Sequence, residues 1–241
     1  MESIRGILLK IAARLRNLQL TDYKKGLSHS QIYPTASYSP WKDDTGFIEL
    51  YEKIKYHTLV DIFRCYELYM LGKQLQQTEG DILEVGVWKG GTARLLRQFV
   101  SGNNNIYLAD TFAGVVKASV NDSLYKGGEH SDISKDIVKA LFGSLAGSNT
   151  VFLKGIFPED TGHVLKGRKF KLVHIDVDTH DSAKDTFAFV WDNVVPGGAV
   201  VFDDYGFNGC EGVTLYFNSL ALSNGLKIYN INGHGIILKT K

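Results

Sequence analysis

The stretch FKLVHIDVDTHDSAKDTFAFVWDNVVPGGAVVFDDYG, residues 170–206, decides how the chain folds. Two aliphatic runs, FKLVHI and GAVVF, flank a segment whose apolar residues recur at helical spacing, HDSAKDTFAFVWDNV. Strand, helix, a PGG turn and strand make a βαβ crossover, which brings the C-terminal ends of two parallel strands to one sheet edge. Both runs give out in carboxylates: Asp176 and Asp178 after the first, Asp203 and Asp204 after the second. Open α/β sheets bind ligands outside those strand ends, and hard divalent cations prefer oxygen ligands. Asp176, Asp203 and Asp204 therefore read as a cation site, against the plainer alternative of an acidic turn facing solvent. Three bare carboxylates brought together would raise one another's pKa, a penalty that a cation removes.

Working outward, short β-branched runs alternate with helical patterns at DILEVGV, NIYLADTF and TVFLKGIF, which implies further βαβ units and a buried parallel sheet. Two closing runs, LKIYNI and GIILKT, are joined through Asn232 and Gly233 and read as a hairpin, so one strand runs antiparallel. The expected fold is α/β: a mostly parallel seven-stranded sheet with a C-terminal antiparallel hairpin, a pattern that resembles the Rossmann-like class I methyltransferases. That domain is expected over residues 79–241, preceded by an N-terminal helical and lid segment over 1–78. Within the latter, Phe47–Gln77 carries helical periodicity with few breakers.

Ile4, Ile7, Leu8, Ile11, Leu15 and Leu18 form one apolar face of an N-terminal helix. It is expected to pack on its own protein or on a sister subunit; peripheral contact with anionic lipid is the less favoured reading. Lys10, Arg14 and Arg16 interrupt any signal-peptide core, and no apolar stretch reaches the roughly 20 residues of a membrane span. Lys+Arg 27 against Asp+Glu 26 leaves no basic excess for nucleic acid. Cys65 and Cys210 are too few for a disulfide framework, so a reduced cytoplasmic location is expected. The ring-rich loop YPTASYSPW (33–41) and the insertion GVVKASVNDSLYKGGEHSD (114–132) read either as lids or as simple packing.

The other informative motif, LEVGVWKGGT (83–92), follows a strand and opens a helix. Gly86 lets the backbone turn tightly, while Gly90 and Gly91 would let a ligand approach it. The spacing matches neither the dinucleotide G-x-G-x-x-G pattern nor a P-loop, which disfavours a pyrophosphate. Asp110 ends the second strand 24 residues after Gly86, where a carboxylate can take both ribose hydroxyls, although it could equally cap a loop. Val87 and Thr111 flank these positions, Phe112 could cover an adenine, and Glu84 could face an ammonium group. Ribose, adenine and ammonium without phosphate describe S-adenosyl-L-methionine.

LEVGVWKGG, LADTF and the pair HIDVD … PGGAVVFDDYG resemble the TylF/MycF/NovP (macrocin-like) group of sugar O-methyltransferases over about Phe47 to Asn218. The resemblance implies an S-adenosylmethionine- and Mg2+-dependent, homo-oligomeric enzyme acting on deoxysugar hydroxyls. It carries the metal ligands onto Asp176, Asp203 and Asp204, and the catalytic base onto Asp176. IDVD stands where the family usually shows L-D-G-D, and Glu211 follows Cys210 where a basic residue is common; both departures bear on the acceptor. His174 shares strand parity with Asp176 and is the reserve base, though a satisfied core histidine is the plainer reading. Asp178 reads as supporting a ligand or capping the next helix, and Asp181 as a cap. The acceptor expected is a glycan or glycosylated small molecule with vicinal hydroxyls; alternatives are a catechol-like phenol and a non-catalytic cofactor-binding module.

Overall fold

Strand formation follows burial. Asp81–Val85 (β1), Ile106–Asp110 (β2), Thr150–Lys154 (β3), Phe170–Ile175 (β4) and Val194–Phe202 (β5) run parallel, and Gly225–Tyr229 (β6) and Gly235–Lys239 (β7) complete one sheet of order β3-β2-β1-β4-β5-β7-β6. Among the described strands, β7 runs opposite to the rest and pairs antiparallel with both β5 and β6, as a C-terminal hairpin requires. The computed structural model describes residues 39–147, 149–230 and 232–241, with residues 4, 6–8 and 10–12.

Successive residues of the central strands feed opposite faces, so two cores form. Ile82, Leu172, Ala199 and Val201 face one core with helices Thr45–Ile54 (α1), Ile62–Gln74 (α2), Gly91–Leu96 (α3) and Lys135–Phe142 (α4). Leu83, Val173, Val200 and Phe202 face the other, with His180–Val190 (α5) and Glu211–Ser219 (α6). A parallel sheet covered on both sides explains strands that read as unbroken apolar runs.

The chain divides into two compact units, residues 1–40 and 41–241. Helices α1 and α2, grouped by sequence with the N-terminal segment, belong to the second unit. In the first, residues 4, 6–8 and 10–12 are helical; Leu15, Leu18 and residues 33–38 of the aromatic loop lie outside the described residues.

Two local expectations are corrected. Phe47–Gln77 is not one periodic helical run: it breaks at residues 55–61, where Asp61 starts α2 by accepting from the N–H groups of Phe63 (2.9 Å) and Arg64 (3.1 Å). A local cap outcompetes continued periodicity. The PGG turn lies inside the span of β5, where Phe170 pairs with Val194 but Leu172 with Ala199, so Val195–Gly198 bulge from the ladder.

Candidate active site

The tips of β1, β4 and β5 lie side by side because the ladder continues past each strand: Asp176 N donates to Val85 O (2.8 Å) and Asp203 N to Ile175 O (2.9 Å). Above them opens a cleft of about 290 Å³ whose walls include Gly86, Val87, Trp88, Asp110, Thr111, Asp176, Asp178, Asp203 and Asp204. Asp176, Asp203 and Asp204 each present an oxygen within 4.8 Å of the others, as the crossover required.

The three carboxylates are electrostatically unequal. Burial raises the pKa of Asp176 well above its ordinary value, and the neighbouring Asp203 and Asp178 raise it further against His174 and Arg64. Asp204 is raised for the same reasons: burial first, then Asp203, Asp176 and Asp178. Asp203 goes the other way. Burial opposes its charge, but Arg64, His174 and His234 outweigh that and hold it well below the usual range. The site thus pairs a firmly ionised carboxylate with two of high proton affinity.

Arg64, on α2, is the chief source of that asymmetry. Its Nη1 contacts Asp203 Oδ2 and lies 3.5 Å from Asp204 Oδ1, its Nε bonds Asp61 at 3.0 Å, and its guanidinium lies 4.5 Å from the centre of the Phe207 ring. His234, from the β6–β7 loop, bonds Asp203 Oδ1 through Nε2 at 2.8 Å. Neither residue was named from sequence. A signal for Arg64 existed: it shares a four-residue spacing with Leu68 and Gly72, which are buried along with it, and a cation on an apolar stripe asks for a partner. His234 had none, since its partners lie 31 and 167 residues away.

The residues assigned to the glycine turn divide. Gly86, at φ +85, needs to be glycine because a Cβ would lie 1.6 Å from Asp176 O. Gly90 and Gly91 make room for protein: a Cβ there would meet Val138 at 2.6 Å and His57 O at 2.7 Å respectively. Asp110 acts as a loop cap, accepting from Val87 N (2.7 Å) and Trp88 N (3.0 Å) on one oxygen and from Phe112 N (2.6 Å) on the other. It also lines the cleft with Thr111, whereas Phe112 packs into the core and Gly90 is absent from the walls. Glu84 and His174 are fully buried beneath the floor, joined Oε1 to Nδ1 at 2.8 Å. His174 is therefore a paired core histidine, pushed up to about 10 as Asp203 and Glu84 outweigh its burial, and not a reserve base in the cleft. Glu84 Oε2 is buried without a partner among the described residues.

Neither Asp178 nor Asp181 caps α5. Asp178 adopts φ +62 and lines the cleft, while Asp181 lies inside the helix and contacts His180 Nδ1 at 2.7 Å. The first N–H of α5 is taken by Asp122 of the 114–132 insertion, whose Oδ1 accepts from His180 N at 2.9 Å. The insertion also contributes Tyr125 and His130 to the cleft wall.

This sheet order, with a cleft over the tips of β1, β4 and β5, is the architecture of a class I methyltransferase. A solved structure of the O-methyltransferase NovP superposes with a TM-score of 0.67 at 21% identity, covering 77% of this chain and 83% of that one. Residues 57–236 match the family model for macrocin O-methyltransferase (TylF), and the chain belongs to that family. It is an O-methyltransferase. Curated relatives include the 8-demethyl-8-(2,3-dimethoxy-alpha-L-rhamnosyl)-tetracenomycin-C 4'-O-methyltransferase of Streptomyces olivaceus, 26% identical over 75% of this chain and 74% of the relative. The mycinamicin III 3''-O-methyltransferase of Micromonospora griseorubida is 27% identical, over 65% and 67% respectively.

Proposed function

We propose that the protein transfers a methyl group from S-adenosylmethionine to a sugar hydroxyl of a glycosylated small molecule, with a divalent cation, Mg2+, held by Asp176, Asp203 and Asp204. The observation that carries the reading is the convergence of those three oxygens within 4.8 Å at the cleft floor, a donor set of hard oxygens suited to Mg2+. A relative named for 4'-O-methylation of a rhamnosyl-bearing tetracenomycin supports the acceptor class.

S-adenosylmethionine supplies the electrophilic methyl group, and the cation supplies Lewis acidity to an acceptor hydroxyl. The chain supplies the rest. Asp176, which lines the cleft beside Asp203 and Asp204, accepts the hydroxyl proton. Asp203 stays ionised against Arg64 and His234. Asp110 holds the Val87–Trp88 turn rigid through its backbone bonds and borders the donor's place in the cleft, so donor and acceptor meet in a fixed geometry.

Thermal melts test the binding half. S-adenosylhomocysteine should raise Tm through linkage. Release of S-adenosylhomocysteine, assayed over deoxysugar glycosides and a catechol, should occur with a glycoside and stop in EDTA. Full activity in EDTA sinks the cation, and turnover of the catechol alone sinks the sugar.

A further inference from the structure

His234 is wholly buried between two carboxylates that belong to different elements. Its Nε2 lies 2.8 Å from Asp203 Oδ1 at the tip of β5, and its Nδ1 lies 2.5 Å from Glu67 Oε2 on α2. Glu67 is itself held, accepting from the side-chain amides of Asn230 and, at 3.2 Å, Asn232. Position 233 needs glycine: Gly233 has φ +102, and a Cβ there would lie 2.2 Å from the Phe207 ring. That ring in turn faces the Arg64 guanidinium, whose Nη1 contacts the other oxygen of Asp203. Asp203 is therefore gripped on Oδ1 by His234 and on Oδ2 by Arg64, and its carboxylate plane cannot rotate freely.

An imidazole bonded on one nitrogen presents the other in a fixed direction, and partners that orient a ligand govern how well a set of ligands converges. We propose that Glu67 and His234 form a positioning relay that sets the orientation of Asp203 for the cation, so that α2 and the C-terminal hairpin complete a site whose ligands lie on β4 and β5. The inference rests on the cation reading above. The alternative is a purely structural pin between hairpin and α2, which would affect folding alone.

The test uses the full chain and Mn2+, a spectroscopically visible stand-in for Mg2+, titrated by electron paramagnetic resonance, with circular dichroism and Tm reporting the fold. His234→Ala should weaken Mn2+ binding by about tenfold or more. His234→Gln, whose amide can donate to Asp203, should recover most of that loss. Glu67→Gln should weaken binding by about threefold to tenfold. Acting through one chain, Glu67→Gln and His234→Ala together should cost little more than His234→Ala by itself. Mn2+ affinity equal to the parent's in His234→Ala, or in Glu67→Gln if the former does not fold, overturns the relay; so does full additivity in the double variant. A parent protein that binds no Mn2+ sinks the cation reading itself, a result distinct from a binding parent with equally binding variants.

Discussion

The turn after β1 and the tip of β5 border the same cleft but are held in opposite ways. At the turn, the backbone N–H groups of residues 86–88 are met by the strand tip beside them: Asp110 accepts from Val87, Trp88 and Phe112, and Gly86 N donates to Ala109 O at 2.9 Å, while the side chains of Trp88 and Lys89 reach out to Asp132. At the tip, Asp203 is served by Arg64, 139 residues away, and by His234, 31 residues on. A turn can be stabilised by its own backbone donors, whereas adjacent buried carboxylates need charge brought from elsewhere. The turn is thus a backbone device and the tip an electrostatic one, and substitutions at each should fail differently.

The largest effect is expected at the tip. Asp203→Asn keeps the shape but removes the charge that Arg64 and His234 compensate, and turnover should fall on the order of 10³-fold. S-adenosylhomocysteine should still raise Tm, because the turn is untouched. A loss of turnover under threefold would show that the tip is not the reaction centre. Next comes Gly86→Ala, which sets a Cβ 1.6 Å from Asp176 O at φ +85 and should cost about 3 kcal/mol in urea denaturation. A variant as stable as the parent would mean that the β1 and β4 tips move apart at little cost.

The smallest effect is a difference in sign between neighbours, measured in EDTA. Asp204 has a raised pKa in the folded state, so its contribution to stability is present below the ordinary carboxylate value of about 4 and is lost as pH rises toward its folded value. Asp203 has a lowered one, so its contribution is present above about 4 and is lost as pH falls. Asp204→Asn should accordingly raise Tm by a few degrees at pH 8 and change it less at pH 5. A fall in Tm at pH 8 would reverse the assignment of the two charges.

The same contrast marks how far the sequence could be read. The mostly parallel seven-stranded sheet and its closing hairpin followed from apolar runs of the right length, and the meeting of Asp176 with Asp203 and Asp204 followed from crossover topology, whereas the order of the strands came only with the structure. The break at 55–61 did not, because the local bonds of Asp61 override periodicity, and neither did the bulge at Val195–Gly198 or the capping of α5 by Asp122, which lies 58 residues from the N–H it accepts. Gly90 and Gly91 look like ligand glycines in sequence; packing against Val138 and His57 explains them in three dimensions.

By itself, the sequence determined the fold class, the strand tips that matter and the three acidic residues they carry, since each depends on short-range pattern and chain topology. Only the tertiary structure decided which of those acids is held ionised and which hold their protons tightly. A pKa depends on burial and on charges close in space, and Arg64 and His234 reach Asp203 from helix and hairpin positions that no spacing rule connects.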